Sequence, residues 1–160
     1  MSDIGTRLID QLQPLRGGAP YYRGALGTDP PRIEIKGLGV LTFPLNKIQV
    51  EALLQRATVA PFGKGRKTLV DKTVRDTREI DAAELQLSDP GLLKRLGALL
   101  TEAAEEMAVS GGIKAVPYKL LIYAGGGFFA EHQDSEKLPG MFGTLLIGLP
   151  SEHEGGAIRI

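Results

Sequence analysis

Apolar residues recur at the three- and four-residue spacing of an α-helix in three stretches of the chain. The first stretch covers residues 3–16. A short second helix is expected to begin after Asn46, with Gln49 placed as its capping-box partner. The third and longest helix is expected to begin at Ser88-Asp89-Pro90 and to be stopped by Ser110-Gly111-Gly112. Its apolar stripe consists of Leu92, Leu93, Leu96, Leu99, Leu100, Ala103, Ala104 and Met107.

Short alternating patterns predict β-strands in other parts of the chain. Residues 32–35 and 38–43 flank a glycine-containing turn, which indicates a hairpin or two short strands. Residues 60–65 are expected to form a loop because Pro and Gly interrupt them. Beyond Lys114 a series of strands is expected around a turn at Gly125-Gly126-Gly127, namely at residues 118–123, 128–134, 143–149 and 157–160.

The order of these elements predicts the fold class. Residues 1–110 are expected to be mostly helical and residues 114–160 to be β, which suggests an α+β fold with helices supporting one face of a β-rich core. Glycine and proline together supply 21 + 10 = 31 of the 160 residues, so the elements are expected to be short and joined by turns.

Composition and charge narrow the class of protein further. Apolar residues make up 42% of the chain and charged residues 24%, as in ordinary globular domains. The 19 basic and 19 acidic residues cancel, so nucleic acid and anionic membranes are not expected as partners. The absence of cysteine excludes disulfides, iron–sulfur clusters and cysteine nucleophiles. No apolar run approaches the roughly 20 residues of a membrane helix, and no signal-peptide pattern opens the chain, so a cytoplasmic or nuclear location is the default expectation.

The segment His132-Gln133-Asp134 carries the candidate chemistry. On a strand, alternate residues project to the same side, so an imidazole and a carboxylate two residues apart can converge on one small cation. One nitrogen and one oxygen donor with open positions suit Fe(II), as in the two-His-one-carboxylate triad. The alternative is a histidine at a strand end beside a solvated aspartate, and these three residues alone favour that alternative.

The context of this motif resembles the first half of a prolyl-4-hydroxylase-type 2-oxoglutarate/Fe(II) dioxygenase domain. The nearest resemblance is to a large, mostly fungal set of uncharacterised oxygenase-domain proteins. The residues that carry it are YKLLIYAGGGFFAEHQD at 118–134, PGMFGTLLIGLP at 139–150 and EGG at 154–156. A lead-in of APFGKG at 60–65, followed by Thr68, Asp71 and Arg75, is similar as well.

The resemblance implies a fold, a site and a reaction. The fold would be a partial double-stranded β-helix, or jelly roll, over residues 57–160, preceded by a helix and hairpin region at residues 1–56. Fe(II) would be bound by His132 and Asp134, with 2-oxoglutarate as cosubstrate and ascorbate as a reductant. The cosubstrate would be decarboxylated to succinate while a C–H bond of the substrate is hydroxylated. The residues implied to line its pocket are Tyr123, Thr144 and Leu146.

Several of these residues have simpler interpretations. Tyr123 is equally well explained as an aromatic residue of the core, and Thr144 as an ordinary strand residue with a bonded hydroxyl. Phe128 and Phe129 are expected to lie in the core. Asp71 and Arg75 have the spacing of a helical i,i+4 pair and are expected to have structural roles. The substrate, a protein or a small molecule, cannot be inferred from the sequence.

The chain departs from the resembled pattern after Gly156. The pattern requires a distal histidine, followed about ten residues later by an Arg or Lys that binds the far carboxylate of 2-oxoglutarate. The remaining histidine, His153, is interpreted as a turn residue, with recruitment to the metal as the alternative. We therefore expect a fragment or a natural truncation with little or no turnover by itself. An open sheet edge carrying Ile158 and Ile160 suggests the other function, a non-catalytic module for self-association or protein binding.

Overall fold

The structure of the chain is a computed structural model that describes residues 18–27, 29–64 and 67–159. The chain divides into two compact units. One, the helical unit, contains Pro90–Ala115 together with the residues before Asp29. The other, the sheet unit, contains Asp29–Asp89 and Val116–Ile160. The helix expected at residues 3–16 lies outside the described residues.

The sheet unit consists of short antiparallel strands and one α-helix. Its strands form four small sheets, with the orders β2-β1-β8, β3-β7-β9, β4-β5 and β6-β10. The strands are β1 (Ile33–Ile35), β2 (Gly39–Val40), β3 (Thr58–Val59), β4 (Phe62–Lys64), β5 (Lys67–Leu69), β6 (Arg75–Asp76), β7 (Arg78–Asp81), β8 (Leu85–Leu87), β9 (Lys119–Ile122) and β10 (Phe128–Phe129). Helix α1 spans Lys47–Arg56, and a 3-10 turn covers Ala82–Glu84. The expected α+β class is confirmed.

The core of the sheet unit forms where β1, β7 and α1 meet. Ile35 is fully buried and Leu53 of α1 is 1% exposed. The whole cluster comprises Ile33, Ile35, Leu41, Leu53, Ala57 and Ile80. The predicted helix start is confirmed, since Asn46 Oδ1 accepts the backbone N–H of Gln49 at 2.9 Å. The side chain of Gln49 bonds Thr42 at 2.7 Å, so only half of the expected capping box is found among the described contacts.

In the helical unit, helix α2 spans Pro90–Glu106 and buries Leu92, Leu99 and Ala103. Leu93, which was expected on the same stripe, is 56% exposed. The helix also ends earlier than expected. Ala108 adopts a left-handed conformation with φ 52°, and the N–H of Val109 donates to the carbonyl of Ala104 at 2.9 Å. These are the features of a Schellman cap, which closes the helix ahead of the glycines at 111–112.

The strand content differs from the sequence prediction on both sides of residue 110. Eight strands lie between Ile33 and Leu87. The first two form the expected hairpin, whereas the other six lie in a region expected to be mostly helical, and β4 occupies part of the expected loop at 60–65. These strands have two to four residues, too few for alternation to be recognised. The strand expected at 128–134 covers only Phe128–Phe129.

The strands expected at 143–149 and 157–160 are also not found in the described residues, where both segments have irregular structure. A strand needs a partner for its backbone groups. Near these segments the described structure offers a single parallel bridge between Leu45 and Ser151. The expected jelly roll and the expected domain start at residue 57 stay predictions.

No helix in the described part of the chain is long and apolar enough to cross a membrane.

The burial pattern of α1 makes a prediction about stability. Leu53→Ala should lower the free energy of unfolding by about 2–5 kcal/mol, because it opens a cavity in the core. Ile48→Ala on the same helix is the matched control, since Ile48 is 78% exposed, and it should change stability by less than about 0.5 kcal/mol. Urea unfolding followed by circular dichroism measures both. Similar losses for the two variants would contradict the burial described here.

Candidate metal centre

The candidate metal centre begins where β10 ends. β10 pairs with β6 so that Phe129 lies opposite Arg75, and the N–H of Ala130 donates to the carbonyl of Val74 at 2.9 Å. These bonds fix the backbone as far as Ala130. His132 and Asp134 follow in an irregular segment, so the expectation that they share one face of a strand is wrong. A loop brings them together instead.

The geometry of the loop directs one ring nitrogen of His132 toward Asp134. His132 Nδ1 lies 2.8 Å from the carbonyl oxygen of Ala130, which can only accept, so Nδ1 carries the hydrogen. Nε2 of the neutral ring is therefore a free donor for a metal, 3.6 Å from Asp134 Oδ1. Two donors bound at about 2.1 Å to one ion lie at most about 4.2 Å apart. The two side chains are 38% and 53% exposed, and their spacing fits a shared cation.

Thr144 orients the carboxylate of Asp134. Its hydroxyl donates to Asp134 Oδ2 at 2.6 Å, which leaves Oδ1 directed toward His132. The interaction joins the loop to a residue ten positions further along the chain. Beside it lies a shallow concavity of about 180 Å³, lined by Asp134, Glu136, Met141, Phe142, Gly143 and Thr144. Thr144, expected to line a cosubstrate pocket, therefore bonds directly to a candidate ligand.

Aromatic contacts pack against the face of the His132 imidazole. The ring of Phe129 stacks on His132 with centroids 3.5 Å apart and planes 17° apart. Phe62 meets Phe129 edge-on at 6.4 Å. The guanidinium of Arg75 also lies on the ring of Phe129, 4.4 Å from the ring centroid. Arg75 Nη1 donates to the carbonyl of Pro61 at 2.6 Å.

These contacts refine the structural roles expected for nearby residues. Phe129 is partly buried, but Phe128 is 43% exposed, so the core prediction is wrong for Phe128. Neighbouring residues on a strand face opposite sides, which separates the two rings. Asp71 and Arg75 do not share a helix; Asp71 opens a turn whose backbone bonds lead into β6.

The other predicted site residues lie apart from this contact network. Tyr123 and Leu146 are 51% and 58% exposed, and neither makes a hydrogen bond or ring contact with His132 or Asp134 in the described structure. Their roles toward the cosubstrate stay predictions. His153 lies in an irregular segment, where its Nδ1 is 2.9 Å from the carbonyl oxygen of Ser151.

Within the described residues, no group of three or more His, Cys, Asp or Glu side chains is arranged to hold a metal ion. His132 and Asp134 are thus a pair of donors without a third protein ligand in that part of the chain. Among known proteins, no family model, curated sequence or solved structure matches this chain.

At the glycine turn before β10, the backbone closely approaches that of β6. A Cβ on Gly127 would lie 2.9 Å from the carbonyl oxygens of Ala124 and Asp76, whereas one on Gly125 would meet nothing within 4 Å. Gly127→Ala should therefore lower the free energy of unfolding by about 1–3 kcal/mol, because the backbone must shift to accept the methyl group. Gly125→Ala is the matched control and should be close to neutral. Equal urea midpoints for the two variants would contradict this description of the turn.

Proposed function

We propose that the chain carries the proximal half of an Fe(II)/2-oxoglutarate-dependent dioxygenase site, in which His132 and Asp134 are two of the protein ligands. The observation that carries the proposal is the loop geometry: the Ala130 carbonyl holds the hydrogen on Nδ1, and Nε2 faces Asp134 Oδ1 at 3.6 Å. A histidine that binds a metal through one ring nitrogen commonly donates its other ring N–H to a carbonyl oxygen, as His132 does here.

The donor set suits iron. An imidazole and a carboxylate with open positions are the donors of non-haem Fe(II) sites, whereas structural zinc sites are closed and usually contain cysteine. The chain has no cysteine. Bound iron would supply O2 activation coupled to decarboxylation of 2-oxoglutarate, with ascorbate as a reductant. Thr144 would keep the Asp134 carboxylate oriented, and Tyr123 and Leu146 would border the cosubstrate.

The resemblance to prolyl-4-hydroxylase-type domains adds to this proposal. In that interpretation the small antiparallel sheets formed within residues 57–160 are the first part of a jelly roll. Two protein donors hold Fe(II) less tightly than three and fix its geometry less well, so we expect weak or no turnover from residues 1–160 by themselves. A protein substrate and a small-molecule substrate are both compatible with the exposed loop.

The two histidines of the chain provide a matched test of the proposal. His132→Ala should weaken anaerobic Fe(II) binding at least about tenfold and abolish any Fe(II)-dependent release of succinate from 2-oxoglutarate. His153→Ala should change neither, because His153 bonds Ser151 and lies outside the proposed site. Isothermal titration and succinate detection, on this chain and on any longer form of the protein, provide the measurements. Equal Fe(II) affinity in the native chain and in His132→Ala would reject the proposal.

A second function is supported by the segment 138–149, which we call the apolar run. It contains no charged residue. Five of its large apolar side chains are between 41% and 58% exposed, namely Leu138, Phe142, Leu145, Leu146 and Ile147. An exposed, uncharged segment that has no strand partner in the described structure is a template for pairing with another strand. We propose a second copy of the chain as that partner, since two uncharged segments pair without charge repulsion.

Light scattering on the purified chain tests self-association. We expect a mass above that of a monomer for the native chain and a return toward the monomer mass for Ile147→Lys, because a charge opposes strand pairing. Ile48→Lys on α1 is the control, since Ile48 is also exposed but lies outside the apolar run. A monodisperse native monomer at high concentration would argue against this second function.

A further inference from the structure

Three planar groups form a column in the sheet unit: the guanidinium of Arg75, the ring of Phe129 and the imidazole of His132. The guanidinium lies 4.4 Å from the centroid of the Phe129 ring. The imidazole lies 3.5 Å from the same centroid, nearly parallel to the ring. Arg75 and His132 are 57 residues apart in the sequence (132 − 75), so the column joins two distant segments.

Arg75 is itself held firmly at the end of this column. It is 9% exposed, and its backbone is paired directly with that of Phe129 in the β6–β10 ladder. Nη1 donates to the Pro61 carbonyl, while Nε is buried and has no hydrogen-bond partner in the described structure. The face of Phe129 is therefore a main source of compensation for this buried cation. Attraction between a cation and an aromatic face is stronger when both are removed from water.

The stacked column fixes the orientation of the His132 imidazole, which its hydrogen bond alone does not fix. The bond from His132 Nδ1 to the Ala130 carbonyl fixes one point of the imidazole but allows the ring to rotate about that bond. Stacking on Phe129 fixes the plane of the ring. With both constraints, Nε2 is directed at Asp134 Oδ1.

We infer that Arg75 is a positioning residue for His132, acting through the ring of Phe129 to fix the plane of the imidazole and thereby the direction of its Nε2. The orientation follows from the geometry on its own; its use in binding a metal rests on the proposed function. This role differs from the i,i+4 pairing with Asp71 that the sequence suggests. It also explains why an arginine is placed beneath an aromatic ring beside the candidate centre.

Carbon–proton NMR of the two histidines tests the orientation directly. In the native chain the His132 ring protons should be displaced upfield relative to those of His153 by the stacked ring of Phe129. Phe129→Leu should remove this displacement. Arg75→Met, which keeps length but removes the cation, should remove more than half of it; an unchanged displacement in a folded Arg75→Met variant would overturn the inference.

A matched control separates positioning from stability. Arg78 is also partly buried and donates to a backbone carbonyl, that of Ala57, but it makes no aromatic contact in the described structure. Arg78→Met should leave the His132 resonances in place even if it lowers the melting temperature. If Arg75→Met does not fold, the native chain is used to test the stacked arrangement. Nuclear Overhauser contacts are then expected from the Phe129 ring to both Arg75 and His132. Their absence would overturn the inference.

Cobalt titration then connects the orientation to the metal. Co(II) should bind the Arg75→Met variant about tenfold more weakly than the native chain, whereas Arg78→Met should bind it normally. Equal Co(II) affinity in native and Arg75→Met chains would overturn the positioning role toward the metal. If the native chain binds no Co(II), the proposed function fails, while the NMR result still decides whether Arg75 orients His132.

Discussion

The pairing of β6 with β10 is the constraint on which the candidate centre depends. It is only two residues long on each strand, yet it places Phe129 opposite Arg75. Thr77 adds a bond from its hydroxyl to the carbonyl of Phe128 at 3.3 Å, and Thr77 is 2% exposed. Because so few backbone bonds define the register, side-chain contacts must help to hold the two strands together. One such contact lies between the guanidinium of Arg75 and the ring of Phe129. It links the stability of the β6–β10 pair to the orientation of the His132 ring.

The sequence predicts the long, locally determined elements of the fold well. Helix α1 starts after Asn46 because the capping bond is made within four residues. Helix α2 starts at Pro90, where a first-turn proline predicts its start. The hairpin of β1 and β2 also depends on neighbouring residues. The short strands between residues 58 and 87 could not be predicted in this way. Apart from β4 and β5, which pair with each other, these strands have distant partners, as in the pairing of β7 with β9. Only tertiary contacts select their two to four residues as a strand.

For the candidate centre, the sequence identified the pair of residues but not the reason for their proximity. Strand alternation was the expected cause, whereas the structure uses a loop anchored by the Ala130 carbonyl and by Thr144. The part played by Arg75 was not visible at all, because it requires the register between two segments more than 50 residues apart. The signal available in the sequence was Arg75, a basic residue in the lead-in motif. Its spacing of four from Asp71 suggested a local helical pair instead.

The two candidate functions share two residues, Thr144 and Leu146, which makes them physically dependent on each other. Thr144 belongs to the apolar run and also orients the Asp134 carboxylate at 2.6 Å. In the described structure the run has no strand partner, so no strand pairing holds the backbone at Thr144. A strand paired along the run would fix the backbone at Thr144, and the carboxylate would then be held against His132 with less freedom. If both proposals hold, strand pairing along the apolar run would therefore also stabilise the position of the Asp134 carboxylate at the candidate centre.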